Sequence, residues 1–285
     1  MGIKSFFSQV PFIGGFFNHP VVPVIRFSGV LTDSPRRSAL SYDRYRKIID
    51  KAFLMPNLKA VAIVLNCPGG TPAQAELIAT YIRKKADEKN VSVLAFVEDV
   101  AASGGYWLAC AADEIYAARS SITGSIGVVS ASFGFEDFIA KHDIKRRLYT
   151  QGKEKSLLDP FLPEKESDVK RLKTLQKNLH QDFIDWVQSR RGEKLKGNKS
   201  NLFEGQIWLS PDALEKGIID DIGSCDKILE DKFGENVARI DLSAGKKLFA
   251  FPSFLSTDKE IRDHDFLEQF ISTLEDKAVW SRYGL

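Results

Sequence analysis

The chain has 285 residues, 44% hydrophobic and 27% charged, a balance ordinary for a soluble globular protein with a substantial core. Its formal net charge of +2 gives no global electrostatic case for a nucleic-acid partner. Three cysteines, Cys67, Cys110 and Cys225, fall at no metal-like spacing, so neither a disulfide framework nor a metal site is expected.

No run of 18 apolar residues occurs, which excludes a transmembrane helix by pattern. Residues 1–20 form a separate segment rich in phenylalanine (Phe6, Phe7, Phe12, Phe16 and Phe17), broken by Pro11, Gly14 and Gly15. It lacks the continuous apolar stretch and small-residue cleavage site of a signal peptide. Packing on the parent domain, a partner subunit, or a peripheral membrane contact would each cover these rings. With neither export signal nor span, the expected location is cytoplasmic or peripherally membrane-associated.

Val21 to Phe27 reads as a first strand, with Pro23 suited to an edge or a strand start. Ser41 to Phe53 carries Tyr42, Tyr45, Ile48, Ile49 and Phe53 at helical spacing. Leu58 to Leu65 is continuously apolar, as in strands buried on both faces, and ends in Asn66-Cys67-Pro68-Gly69-Gly70. A helix follows, with Thr71 at its N-cap, Pro72 in its first turn and Gln74 completing a capping box.

Val91 to Val97 is the next buried strand, leading to Ser103-Gly104-Gly105 and a short helix through Tyr106, Trp107 and Leu108. A serine at a strand-to-helix turn among small residues has an uncovered hydroxyl near free backbone N–H groups, the setting of a nucleophile; an ordinary N-cap serine is the alternative. Glu114 to Ala117 reads as a strand, Ser120 to Val129 as a glycine-containing segment permitting close backbone approach, Phe135 to His142 as a helix, and Ile144 to Tyr149 as a strand. A long helix over Glu164 to Arg191 bears a stripe of Val169, Leu172, Leu175, Leu179, Phe183 and Val187, read as core or subunit packing. Lys194 to Asn201 is a basic, solvated loop. Gln206 to Leu209, Pro211 to Lys216, Asp226 to Phe233 and Val237 to Leu242 complete a domain over 21–242, and a C-terminal extension over 243–285 includes a helix from Asp265 to Val279. Strands alternating with helices predict an α/β domain with a parallel sheet.

A serine nucleophile needs a base. The four histidines, His19, His142, His180 and His264, all lie outside the glycine-rich turns and read as surface or packed side chains. Lysine is the remaining candidate, because burial brings an amine toward neutrality. Composition alone does not choose among the lysines.

The motifs N-C-P-G-G (66–70), A-A-S-G-G-Y-W-L-A (101–109), I-T-G-S-I-G-V-V (122–129) and G-K-E-K-S (152–156), in this order, resemble the signal peptide peptidase A/protease IV family of serine peptidases. The resemblance runs from Val21 to Gly223 and implies the Clp protease/crotonase fold. It implies that Ser103 is the nucleophile, Lys155 the base and Ser125 the hydroxyl that orients it, with Gly70 and Gly104 supplying oxyanion N–H groups. Lys153 is the second candidate for the base. The resemblance further implies no cofactor and no metal, extended apolar peptide or protein substrates, and a ring-like homo-oligomer. Two departures from the family pattern stand out: Asn66-Cys67 before Pro-Gly-Gly, expected to alter packing only, and Glu154 beside Lys155, expected to face solvent. An acyl-CoA hydratase or isomerase on the same fold, with a carboxylate in its pocket, is the rival enzyme; an inactive oligomeric scaffold is the non-enzymatic one.

Overall fold

The computed structural model describes residues 19–34, 39–152, 154–197 and 199–242, together with 277, 278, 280, 281 and 283. The Phe-rich segment up to residue 18, Lys153, His264 and all but two residues of the predicted C-terminal helix lie outside them.

The continuous apolar runs become the centre of one sheet. Its strands are β1 (Val21–Ser28), β2 (Ala60–Cys67), β3 (Ser92–Ala102), β4 (Glu114–Ala117), β5 (Ile122–Gly124), β6 (Ile207–Leu209), β7 (Asp221–Ile222) and β8 (Ala238–Leu242). The order is β6-β5-β3-β2-β1-β8, with β4 pairing β3 and β7, and every pairing is parallel except β5 with β6. The helices are α1 (Tyr42–Phe53), α2 (Pro72–Lys89), α3 (Gly104–Ala109), α4 (Glu136–Lys141), α5 (Glu166–Arg191), α6 (Ser210–Glu215) and α7 (Cys225–Phe233).

Alternation within β2 shows why its sequence has no polar residue before Asn66. Val61, Ile63 and Leu65 face a core shared with Ile49 and Phe53 of α1, Ile78 and Ile82 of α2, and Phe183 and Val187 of α5. Ala60, Ala62 and Val64 face the opposite side, where Leu229 of α7 covers them. A sheet buried on both faces needs apolar residues at every position.

Three expectations are corrected, and a fourth, the stripe read as core or subunit packing, is core in part. Pro23 is not on an edge strand: β1 lies between β2 and β8, and Pro23 pairs only with Ile240 of β8, the register with β2 beginning at Val24. The capping box at Thr71 does not form, because Thr71 Oγ1 donates to Leu31 O at 3.1 Å and Gln74 Oε1 accepts from Tyr42 N at 2.7 Å; both side chains tie α2 to its neighbours instead. Ile144 to Tyr149 forms no strand and is exposed throughout, having no sheet edge to pair with. The apolar stripe of α5 is core only in its last three turns: Phe183 and Val187 are buried, whereas Leu175 is 54% exposed.

The exposure of Leu175 belongs to a larger feature. From Gly127 to Asp182 no described residue is buried. This arm folds on itself, with Phe135 N donating to Pro160 O at 2.6 Å, the Phe135 and Phe161 rings stacked at 5.7 Å, and Arg146 paired with Asp159 at 2.8 Å. Where α5 returns to the body it is latched firmly. Arg191, 1% exposed, bonds Asp220 at 2.5 Å and Gly217 O at 2.7 Å, and Asp220 also takes Lys194 Nζ at 2.8 Å and Ile115 N at 2.7 Å.

Candidate active site

The carboxyl ends of β2, β3 and β5 come together, the position at which parallel sheets build their sites. β2 runs into Pro68-Gly69-Gly70, β3 into Ser103 and β5 into Ser125. Each turn depends on the next. Ser103 N donates to Gly124 O at 2.9 Å, Ser125 N donates to Gln206 O at 2.6 Å, and Gly69 O accepts from Leu31 N at 2.8 Å.

Glycines allow the close approach. A Cβ on Gly69, whose φ is +118°, would sit 2.9 Å from Ser103 Cβ and 3.2 Å from Gly104 N. On Gly70, with φ +136°, it would meet Leu31 O at 2.2 Å, and on Gly105 it would meet Cys67 O at 2.1 Å. Gly105 therefore lets α3 lie directly on the end of β2, and Gly69 lets the Pro68–Gly70 turn lie against the serine.

Ser103 itself has φ 52° and ψ −124°, a conformation that side-chain-bearing residues rarely adopt. Its carbonyl accepts from Tyr106 N at 2.9 Å and Trp107 N at 3.0 Å, so the backbone is held at the start of α3. Ser103 stands at the N-cap position of α3, but its side chain caps no backbone N–H. A strained serine between a strand and a helix is the nucleophile-elbow arrangement. Gly104, at the first position of α3, has no intrahelical acceptor for its N–H. Ser125 shares the left-handed conformation, φ 53°.

Ser103, Ser125 and Gly70 line a cleft of about 580 Å³. Gly104 joins Ser103 and Gly70 around a smaller recess in it. Lys155 is not among the lining residues; it is exposed, in a turn of the arm where its N–H donates to Gly152 O at 3.3 Å. Four of the five predicted site residues thus converge in a single chain and the fifth stands apart. Glu154 is exposed and pairs with Arg171. Cys67 is wholly buried beneath Pro-Gly-Gly, its thiol directed to Gly69 O at 3.7 Å, and burial pushes its pKa up to about 12. It is packing, not a nucleophile. Asn66 Nδ2 donates to Asp99, tying the ends of β2 and β3 together.

Three cleft residues escaped the sequence reading. His180 reaches the cleft from α5, with Nε2 3.3 Å from Ile126 O, and so braces the segment after Ser125. Glu204 lies on the rim, and Tyr283 places its hydroxyl 3.3 Å from Pro68 O, which accepts from it. Only the spacing 179–183–187 on α5 hinted that neighbouring positions face the body; nothing local marks Glu204 or Tyr283. Among the described residues, no group of three or more His, Cys, Asp or Glu is placed to hold a metal ion. Nor is any described helix long and apolar enough to cross a membrane.

A strained serine set against two glycine turns at the carboxyl edge of a parallel sheet places the chain among α/β proteins with a site at the strand ends. Comparison with known proteins gives the family. The model of peptidase family S49 matches residues 85–235, and the chain belongs to that family. It is 42% identical over 273 residues to a protein of Brucella abortus named Na(+)/H(+) antiporter NhaA, covering 93% of this chain and 37% of that one. It is 30% identical over 226 residues to protease 4 of Haemophilus influenzae, covering 77% of this chain and 36% of that enzyme. The chain thus spans little more than a third of the length of either relative. Among solved structures, a membrane-bound stomatin-specific protease, 1510-N, in complex with a substrate peptide matches 90% of this chain and 99% of its own at 18% identity and a TM-score of 0.48.

Proposed function

We propose that the chain is a serine endopeptidase in which Ser103 is the nucleophile and Lys155 the general base. The observation that carries this reading is the strained, uncapped Ser103 set against Gly69 and Gly104 in an open cleft. In the proposed reaction the neutral amine of Lys155 takes the Oγ proton as Oγ attacks the peptide carbonyl. The N–H groups of Gly70 and Gly104 stabilise the oxyanion, and loss of one such donor costs about 3–4 kcal/mol in comparable sites. The ammonium then protonates the departing amine, leaving an acyl-enzyme. Lys155 next deprotonates water, which releases the acid and restores Ser103. Ser125 orients the amine.

Lys155 must be desolvated to act as a base, and the exposed arm of a single chain does not do this. A homo-oligomer would. Phe133, Phe138 and Tyr149 on the arm are 78%, 59% and 90% exposed, a surface suited to a second copy of the chain, whose contact would carry Lys155 into a cleft and exclude water. Extended peptides with apolar side chains are the proposed substrates, since Pro68, Pro72, Val128, Val129 and Leu179 are among the residues that line the cleft. The Phe-rich segment is proposed as a peripheral membrane contact.

Fluorophosphonate labelling tests the assignment: wild type should label, Ser103→Ala should not, and Lys155→Ala should label at least about 100-fold more slowly, the scale of a lost general base. Equal labelling of all three proteins would refute it. Glu204 gives the cleft the carboxylate an acyl-CoA hydratase would use, and turnover of an enoyl-CoA that survives Ser103→Ala would favour that rival.

A further inference from the structure

The cleft does not end at Leu179. Pro72 and Leu179 also line a groove that continues it between α2 and α5, bordered by Glu76, Asp182 and Asp185. Trp107 and Trp186 form its aromatic wall. Neither cleft nor groove has a lysine or arginine among its lining residues, although the whole chain carries 40 basic side chains against 38 acidic ones. The ion pairs that α2 and α5 make among the described residues all engage other side chains. Of the three carboxylates only Asp185 meets a donor, Gln181 Nε2 at 2.8 Å.

A second observation concerns the wall. Trp107 is 6% exposed, yet its indole N–H has no acceptor among the described residues. Buried indole N–H groups usually find one. The ring is held in place, stacked 6.3 Å from that of Trp186, whose own N–H donates to Trp107 O at 2.9 Å. A peptide lying in the groove brings carbonyl acceptors to this wall.

We propose that the groove extends the substrate site and binds a lysine or arginine side chain of the peptide, at a distance from the scissile bond. The proposal rests on Ser103 being the nucleophile, because the groove is reached from Ser103 through the shared residues Pro72 and Leu179. A long cationic side chain suits both parts of the groove. Its methylene stem lies along apolar surface, and its head is attracted by an indole face and by carboxylates. A glutamate in the same place would meet only like charge. Apolar residues in the cleft and a basic residue in the groove thus belong to one extended peptide.

Internally quenched peptides of one apolar sequence, with lysine, glutamine or glutamate placed at each position in turn, test this on the full-length protein. At one or two positions wild type should cleave the lysine peptide at least about 10-fold faster in kcat/KM than the glutamate peptide, the scale of a few exposed charge pairs. That ratio should shrink at 1 M salt, where screening acts within about 3 Å. Asp182→Asn with Asp185→Asn should lower it to about 3-fold or less, by the same scale of exposed pairs, and leave the glutamine peptide and fluorophosphonate labelling at wild-type rates. Glu76→Gln serves the same purpose if the double variant does not fold. Equal rates for lysine and glutamate at every position, or a ratio unchanged in the folded variants, would overturn the proposal while labelling of Ser103 left the nucleophile standing. So would a ratio lost only in Glu204→Gln, which would move the cation to the cleft wall. Failure to label Ser103, or to cleave any of the peptides, would remove the peptidase reading and the role of the groove with it.

Discussion

Replacing Ser103 by glycine should abolish activity and raise stability, and the two effects have one cause. Every backbone hydrogen bond that holds residue 103 survives the change: its N–H to Gly124 O, and its carbonyl accepting from Tyr106 and Trp107. The side chain caps nothing, so its removal forfeits no cap energy. What disappears is the steric cost of φ 52° and ψ −124°, about 1–3 kcal/mol for a residue with a Cβ. Glycine gives back about 0.4–1 kcal/mol through the larger entropy of its unfolded chain. The net expectation is a gain of about 0.5–2 kcal/mol over Ser103→Ala, which is equally inactive but keeps the strain. For a domain of this size that is about 1–8 °C in Tm. Thermal melts of the three proteins by calorimetry, with fluorophosphonate labelling as the activity readout, decide it. If Ser103→Gly melts at or below Ser103→Ala, the serine is unstrained and the elbow argument fails.

Gly105→Ala would place a methyl 2.1 Å from Cys67 O and lift α3 from β2. Stability should fall by about 1–3 kcal/mol, and labelling of an intact Ser103 should fall with it, whereas labelling at the wild-type rate would show that the α3 contact does not position the serine. Asp220 supplies the pH dependence. Burial raises its pKa, but the hydrogen bonds from Arg191 and Lys194 outweigh that and hold its carboxyl below the usual range. A lowered folded value means that the latch is at full strength above the ordinary carboxylate range and is lost as pH falls below about 4. Asp220→Ala would strand Arg191 in the core at a cost of about 3–5 kcal/mol, and Arg191→Met with Asp220→Leu should recover most of it; equal denaturant midpoints for the single and double variants would refute the coupling.

Much of the fold was legible because the sheet leaves no freedom. β2 and β3 are buried on both faces, and such strands admit only continuous apolar runs, so 58–65 and 91–97 announced themselves. β3 runs on to Ala102, five residues beyond the apolar run, because pairing with β5 at Val100–Ala102 extends it where the sequence turns small. The errors fell where local signals competed with tertiary partners. Thr71 and Gln74 had capping chemistry but found better acceptors and donors in Leu31 and Tyr42. Ile144 to Tyr149 had strand composition but no neighbouring strand.

The site divides along the same physical line. Ser103, Gly70, Gly104 and Ser125 sit in turns with exacting backbone geometry, and a backbone constraint writes itself into sequence as glycines and small residues at the ends of strands. The proposed base differs, being a side chain that must arrive somewhere. Lys155 sits on an arm with no buried described residue from Gly127 to Asp182, so nothing in a single chain's packing specifies where its amine goes. His180 shows the converse. It looked incidental on a long helix, yet the latch formed by Arg191, Asp220 and Gly217 fixes the register of α5 and thereby brings His180 to Ile126 O and Leu179 to the recess beside Ser103. The half of α5 that is packed shapes the cleft, through Leu179 and His180; the half that projects carries the exposed arm.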